Sequence, residues 1–416
     1  MAEITILTHI AELVTPLGRA ARRGKDMNEI RILHDAAVVI QDGIIQDVGD
    51  TAGVLSRAQT GRADIRDLSG HAVVPGFVDA HTHFLFGGFR PEEFMLRLQG
   101  ASYLEIHKSG GGIENTVRST RAETAKQMLR DGKDRLFDAL SMGVTSMEGK
   151  SGYGLDKTTE LTMLQVMRQL NQIQPVEVTP TYLGGHSIPA EYKGRADEYI
   201  SFMITSMLPL IKEQKLAEFV DIFCEDGVFT VKQSEKLLSA ASSLGFGTKI
   251  HADEIMSTGG AELAARVPCT SADHLLMISE QGIRDLASSA TIATLLPCTA
   301  FCLAKPYAPA RKLIDAGCAV SLASDYNPGS CYTNSIPLLF ALAVIHMSMT
   351  LPETLTALTL NGAAAIGRAD KIGSIEPGKQ ADLVVLRQPS YTFLVYNTAK
   401  NQVAEVIKKG KSVYQK

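Results

Sequence analysis

An excess of positive charge is missing from this 416-residue chain: 41 Lys and Arg stand against 45 Asp and Glu, a formal net charge of -4. A protein that grips a phosphate backbone needs the opposite balance, so no nucleic-acid partner is expected. Cysteine is scarce too, with six residues in all. That is too few for a disulfide scaffold; Cys224, Cys269, Cys298, Cys302, Cys318 and Cys331 read as reduced thiols in unrelated contexts, and the expected compartment is cytoplasmic. The opening residues, MAEITILTHIAELVTPLG, lack the basic start and small-residue cleavage site of an export signal. No apolar run approaches the roughly 20 residues of a membrane-spanning helix. The best candidate, Ile336 to Met349, is interrupted by Pro337, His346 and Ser348 and reads as a buried helix, so no membrane partner is expected. With 45% hydrophobic and 21% charged residues, the composition also excludes disorder, collagen and coiled coil.

What is present falls into three parts. The first 74 residues look like short antiparallel strands, with a hairpin turn at Asp42-Gly43 inside AAVVIQDGIIQDV. From Val74 short apolar strands alternate with helical patterns, the signature of a parallel sheet built from βα units. Strands are predicted at Gly76 to His83, Val144 to Lys150, Val176 to Gly184, Phe219 to Glu225, Thr248 to Asp253, Ser271 to Leu275, Thr291 to Pro297 and Ala319 to Asp325. Helices are predicted at Thr158 to Leu170, Val231 to Leu244, Ala308 to Ala316 and Leu351 to Ile366. Eight such strands imply a closed (β/α)8 barrel whose βα loops open on one face. Beyond Gly367 the pattern returns to strands, in KIGSIEPGKQADLVVL, Val403 to Lys408 and Ser412 to Tyr414. A few strands alone bury no core. The expected fold is therefore α/β, a (β/α)8 TIM barrel over residues 75–368 with a small β-sandwich domain formed by both chain termini, 1–74 and 369–416.

Histidine placement carries the chemistry. Asp79-Ala80-His81-Thr82-His83 ends the first predicted strand, and residues two apart in a strand share a face. Strand five ends in Lys249-Ile250-His251-Ala252-Asp253-Glu254, strand six in Ala272-Asp273-His274 and strand eight in Ala323-Ser324-Asp325. Polar groups at the carboxyl ends of barrel strands line the active-site face. Four strands thus deliver imidazole or carboxylate to one place, a set suited to a divalent transition metal such as Zn or Fe. Such an ion lowers the pKa of bound water from about 15.7 toward about 7, which makes hydrolysis the implied chemistry.

On these motifs the chain resembles the amidohydrolase superfamily. The resemblance implies one metal held by His81, His83, His251 and Asp325; the Glu three residues after the strand-five His and the His on strand six match Glu254 and His274. Binuclear members place a carboxylated Lys or a Glu on a middle strand. Here strand four ends in Glu225, which keeps a second ion open, and Lys150 belongs to strand two. PGFVDAHTHFLFGGFR, LQGASYLEIHKSGGGI, KSGYGLD, LGGHSIPAEYKGRADEYI, SADHL and SDYNPGSC are similar to a branch that opens an imidazolone ring bearing a propanoate, in histidine degradation. By that resemblance Arg90, Tyr153, His186 and Glu254 contact substrate, with Asn327, Gly329 and Ser330 on the product side. A guanidinium pairs with a propanoate through two parallel hydrogen bonds, which suits Arg90. The glycines flanking Tyr153 let its phenol approach a ligand, and backbone groups at Gly329 and Ser330 can bind a carboxylate.

The expected reaction is attack of water on the ring carbonyl. Asp325 is the general base, His274 assists at the oxyanion, and Glu254 passes a proton to the departing nitrogen. The same His, Glu, His and Asp set also serves deaminases of heterocycles, which is the alternative reading; a non-catalytic scaffold is the third, and it fits poorly with an intact ligand set. Dimers are common in the superfamily, so a homodimer acting on a small molecule is expected. Two positions depart from the family pattern: Cys298 stands where a small residue usually follows Leu296-Pro297, with Cys302 four residues on, and Phe89 replaces a smaller residue beside Arg90.

Overall fold

The computed structural model describes residues 3–58, 61, 63–100 and 111–416; most of the motif LQGASYLEIHKSGGGI, residues 101–110, lies outside them. Five strands come first: β1 (Ile4–Pro16), β2 (Ile30–Gln41), β3 (Ile44–Asp50), β4 (Asp64–Asp67) and β5 (Ala72–Pro75). Asp42 and Gly43 both take positive φ, 51° and 80°, the geometry a two-residue hairpin needs to match strand twist. Gly43 allows a second close approach, because a Cβ there would lie 2.7 Å from the carbonyl oxygen of Lys409, in the last turn of the chain. That turn joins β15 (Val403–Lys408) to β16 (Lys411–Gln415), and β14 (Leu383–Leu386) pairs with both β5 and β15. The two ends of the chain therefore build one mixed sheet, in the order β16-β15-β14-β5-β1-β2-β3 with β4 on β1. Its core is aliphatic, with Leu7, Ile10, Val38, Ile40, Val73, Val385 and Ile407 buried together.

Between β5 and the next strand stands only Gly76, where the chain leaves one sheet for the other. The barrel strands β6 (Phe77–Asp79), β7 (Val144–Lys150), β8 (Glu177–Gly185), β9 (Phe219–Cys224), β10 (Gly247–Ala252), β11 (Ser271–His274), β12 (Ile292–Leu295) and β13 (Ala319–Leu322) pair in sequence order, all parallel. The fold is thus a (β/α)8 barrel with a β-sandwich-type domain from both termini. The ring closes just past the strand ends: Asp325 N donates to His81 O and His83 N to Tyr326 O, both at 3.0 Å. Asp79 locks the same seam by accepting from Ser324 N (2.9 Å) and Ser324 Oγ (2.5 Å).

Two expectations change. First, β6 stops at Asp79 and β13 at Leu322, so His81, His83 and Asp325 project from extended segments beyond the strands, held by the seam. Second, the predicted helix over 351–366 is two helices, Leu351–Leu358 and Leu360–Ala365, broken at Thr359 (φ -126°, ψ -89°). Thr359 Oγ1 donates to Leu355 O at 2.6 Å, a side-chain bond that competes with helical geometry. The apolar helix Ile336–His346 is buried as expected, facing the protein's own core through Ile336, Leu339, Phe340 and Leu342, with Phe340 edge-on to Phe77 at 5.7 Å. Among the described residues no helix is long and apolar enough to cross a membrane.

Candidate active site

Four side chains converge at the carboxyl end of the barrel. His83 Nε2 lies 3.4 Å from His251 Nε2, and Asp325 Oδ1 lies 3.6 Å from both His81 Nε2 and His83 Nε2. Donor atoms bound tetrahedrally at about 2.0–2.1 Å stand roughly 3.3–3.5 Å apart, so this spacing fits one ion. His81 Nε2 is buried with no hydrogen-bond partner, as a ligand atom would be. These residues suit a metal ion. His274 stands beside them, its ring 5.4 Å from His81 and 5.2 Å from His251. Burial, reinforced by neighbouring cations and imidazoles, holds His81, His83 and His274 well below the usual histidine pKa, keeping them neutral.

The rings are aimed by groups that sequence reading passed over. His81 Nδ1 donates to Asp273 Oδ2 at 2.6 Å, and Asp221 Oδ2 lies 3.0 Å from His251 Nδ1. With Nδ1 committed to a carboxylate, each ring presents its Nε2 lone pair to the centre. Thr299 Oγ1 donates to Asp325 Oδ2 at 2.6 Å, which turns Oδ1 toward the histidines. A signal for the aspartates existed, since buried acids interrupt otherwise apolar strands at 221 and 273. Thr299 carries none.

The backbone is bent where the chemistry sits. Asp253, His274, Leu275 and Asp325 take positive φ of 50°, 75°, 60° and 54°. Conformations of this kind cost about 1–3 kcal/mol each and persist only where the surroundings impose them. Asp253 spends its carboxylate on the helix Gly260–Arg266, accepting from the backbone of Gly260 (3.3 Å) and Ala261 (3.1 Å). The next residue, Glu254, then faces inward, 3.6 Å from His274 Nδ1. Burial, then the Asp325 charge, pushes the Glu254 carboxyl up to about 8.

Around this floor lies a rim of loops. Arg90 is mostly buried, donates to Glu93 at 3.2 Å and packs so closely on Gly329 that a Cβ there would overlap its Nη2. Its loop is fastened by Arg135, whose guanidinium lies 3.5 Å over the Phe86 ring and donates to Phe84 O (2.8 Å) and Phe86 O (2.9 Å). His186 stacks on His83 at 4.7 Å, and the Tyr153 ring lies 5.7 Å from His83 and 5.2 Å from His186. Phe89, one of the two departures, is an exposed residue edge-on to Phe86 at 5.3 Å.

Several sequence expectations need correcting here. Gly152 is required by the chain's own packing: its φ is 102° and a Cβ would meet Leu183 O at 2.8 Å and His186 Cβ at 3.0 Å. The amides of Gly329 and Ser330 both donate to Asn327 Oδ1 at 2.8 Å, so the product-side anion cradle is filled by the chain itself. Glu225 accepts from the amides of Asp226 (2.9 Å), Ile255 (2.8 Å) and Met256 (3.2 Å) and so fixes the loop beside Glu254. Nor are the cysteines unrelated: the free Cys331 thiol lies within hydrogen-bonding reach of those of Cys298 and Cys302, close to Asp325. The Cys331 thiol is raised, first by burial, which keeps it protonated.

Residues 233–413 match the Amidohydrolase family. An imidazolonepropionase from Clostridium tetani is 52% identical over 411 residues, 99% of this chain and 98% of that one. Another from Phocaeicola vulgatus is 54% identical over 407 residues, covering 97% of each chain. Among solved structures, a triazine hydrolase from Arthrobacter aurescens superposes with a TM-score of 0.77 at 14% identity, over 99% of this chain and 95% of that one. An adenosine deaminase from Xanthomonas campestris with bound zinc gives 0.68 at 21% identity, over 98% and 92%. These distant likenesses speak to the fold alone. By its identity to full-length relatives, the chain belongs to the imidazolonepropionase family of amidohydrolases.

Proposed function

We infer that this protein hydrolyses the cyclic amide of 4-imidazolone-5-propanoate to N-formimidoyl-L-glutamate, a step of histidine degradation. The observation that carries this reading is identity of 52–54% to imidazolonepropionases along nearly the whole chain. We propose one divalent ion, zinc or iron, at His81, His83, His251 and Asp325. Such an ion would polarise the ring carbonyl and bring the pKa of water toward about 7.

The side chains divide the remaining work. Arg90 receives the propanoate, and Tyr153 and His186 wall the ring beside His83. Asp325 takes the proton of the attacking water on its carboxylate, while neutral His274 donates an N–H to the oxyanion. Glu254 carries its proton at neutral pH and delivers it to the ring nitrogen as the carbon–nitrogen bond breaks. Asn327, Gly329 and Ser330 act through one another, holding the loop against which Arg90 rests. A single ion is favoured because the two groups placed to bridge a second are occupied: Glu225 by three amides and Lys150 by carboxylates at 2.6, 3.0 and 3.4 Å.

The working form we propose is a cytoplasmic homodimer, each copy dividing into the barrel (75–368) and the β-domain (1–74 with 369–416). Its six cysteines are unpaired, and five of them are buried. Incubating purified protein with 4-imidazolone-5-propanoate should yield N-formimidoylglutamate, with cytosine and guanine as controls. Ammonia release from those bases, without ring opening of the imidazolone, would overturn the assignment.

A further inference from the structure

Beneath the site the barrel holds five charged side chains, Glu148, Lys150, Asp221, Lys249 and Asp273, all with 0% exposure. Burying charges costs several kcal/mol per ion, and apolar packing of the same volume is often as stable or more so. Stability alone therefore does not account for them.

The atoms involved show what the cluster does. Lys150 Nζ lies 2.6 Å from Asp221 Oδ2 and 3.4 Å from Asp273 Oδ2. These are the same two oxygens that face His251 Nδ1 (3.0 Å) and His81 Nδ1 (2.6 Å). Glu148 Oε2 then bridges Lys150 and Lys249, each at 3.0 Å, and Lys249 Nζ donates to Ala80 O at 3.3 Å, the carbonyl just before His81. Thr181 fixes the other Glu148 oxygen at 2.5 Å. One ammonium thus pins the two oxygens that orient two of the three candidate ligand imidazoles. The third ligand histidine is held differently: among the described residues the one carboxylate within 4.0 Å of His83 is Asp325, at Nε2 and not Nδ1, and its ring stacks on His186 at 4.7 Å.

Resting on the metal-hydrolase reading above, we propose that Lys150, acting through Asp221 and Asp273, is a positioning residue that locks His81 and His251 in the Nδ1–H tautomer and thereby sets the affinity of the site for its metal. Lys249 and Glu148 hold this clamp against the backbone of the first histidine motif. Lys150 touches neither metal nor substrate. Its influence passes entirely through the aspartates.

The test uses the full-length protein stripped of metal, with Zn2+ affinity read by competition with a colorimetric chelator and the ligand field read from the visible spectrum after Co2+ loading. Asp221→Asn and Asp273→Asn should each bind zinc about 10–100-fold more weakly, the usual cost of losing a carboxylate behind a ligating histidine. Their cobalt bands should shift, and a hydrogen-bonded imidazole N–H resonance should vanish from the proton spectrum. Lys150→Met leaves an uncompensated buried anion and can fail to fold, so the double variant Lys150→Met/Asp221→Asn, which removes one charge of each sign, is made as well. It should melt cooperatively yet bind zinc more weakly than Asp221→Asn, because Asp273 then loses its ammonium as well. Variants that fold and bind zinc within about threefold of native, with an unchanged cobalt spectrum, would refute the clamp while leaving the hydrolase reading intact. Native protein that binds no zinc would remove both.

Discussion

The floor and the rim of the site are built by different means. On the floor, Asp221, Asp273 and Lys150 come from strands, have no exposure, and share fixed partners. On the rim, Arg90, Tyr153, His186 and Gly329 come from loops, and the helix that follows Arg90, Pro91–Leu98, buries none of its residues; Leu98 is 66% exposed. Burial makes electrostatic interactions strong and displacement costly, so the floor suits atoms whose positions must not change. Loops tolerate variation, so the rim is where substrate choice can be altered without disturbing the reaction.

Breaking the floor should cost most. Asp325→Asn removes a ligand and the proton acceptor together, and turnover should fall by roughly 10³–10⁴-fold. Metal analysis of the same preparation should show weakened binding; normal metal content with native turnover would separate Asp325 from both roles. Glu254→Gln should lower kcat by about 10²–10⁴-fold. Because Glu254 must be protonated to serve as acid and its pKa is pushed up to about 8, native activity should decline as pH rises through that value. In the Gln variant that decline should be absent. A variant with native activity and an unchanged profile would eliminate the acid role.

Breaking the rim should look different in kind. Arg90→Met removes charge-assisted hydrogen bonds worth about 1.5–3 kcal/mol, so KM should rise roughly 10- to 150-fold. Zinc affinity should remain native. Gly329→Ala, whose methyl would displace Arg90 Nη2, should reproduce the KM effect in milder form. If either change weakened metal binding as much as a floor substitution, the separation of floor from rim would be wrong.

How much of this was legible depended on whether a residue's neighbours lie close in sequence. Eight barrel strands could be counted because each is an apolar run, and His81, His83, His251 and Asp325 were found because barrel topology sends every strand end to one face. Glu148 and Lys150, like Lys249 and His251, stand two apart in strands and so share an inward face, a cue that periodicity offers. What periodicity cannot supply is pairing across 71 or 123 residues, as between Lys150 and its two aspartates. Thr299, the Cys298–Cys331–Cys302 contact and the filling of the Gly329 and Ser330 amides by Asn327 depend likewise on contacts between separate strand ends or on turn geometry. The break at Thr359 was hidden because both halves of the segment are apolar, and helical periodicity continues across it.

The smallest expected effect tests whether the floor is special or whether any buried lysine would behave as Lys150 does. Lys379 is also fully buried, but its ammonium meets carbonyls, Gly18 O at 2.6 Å and Ile372 O at 3.1 Å, with the Glu376 carboxylate no nearer than 4.0 Å. Where Lys150 is raised by surrounding acids against the pull of burial, burial prevails at Lys379 and pushes it down to about 8. Its folded pKa then lies below the unfolded value of about 10.4, so between these two values the unfolded chain binds more protons and stability must rise with pH. Below about pH 8 both states are charged and the penalty is constant. Measured against Lys379→Met by denaturant unfolding, native protein should gain about 1–3 kcal/mol between pH 8 and pH 10.5, with turnover at pH 7 unchanged. A gain of the opposite sign would mean that the Glu376 carboxylate holds Lys379 charged as the aspartates hold Lys150, and the clamp under the metal site would lose its claim to be a separate kind of structure.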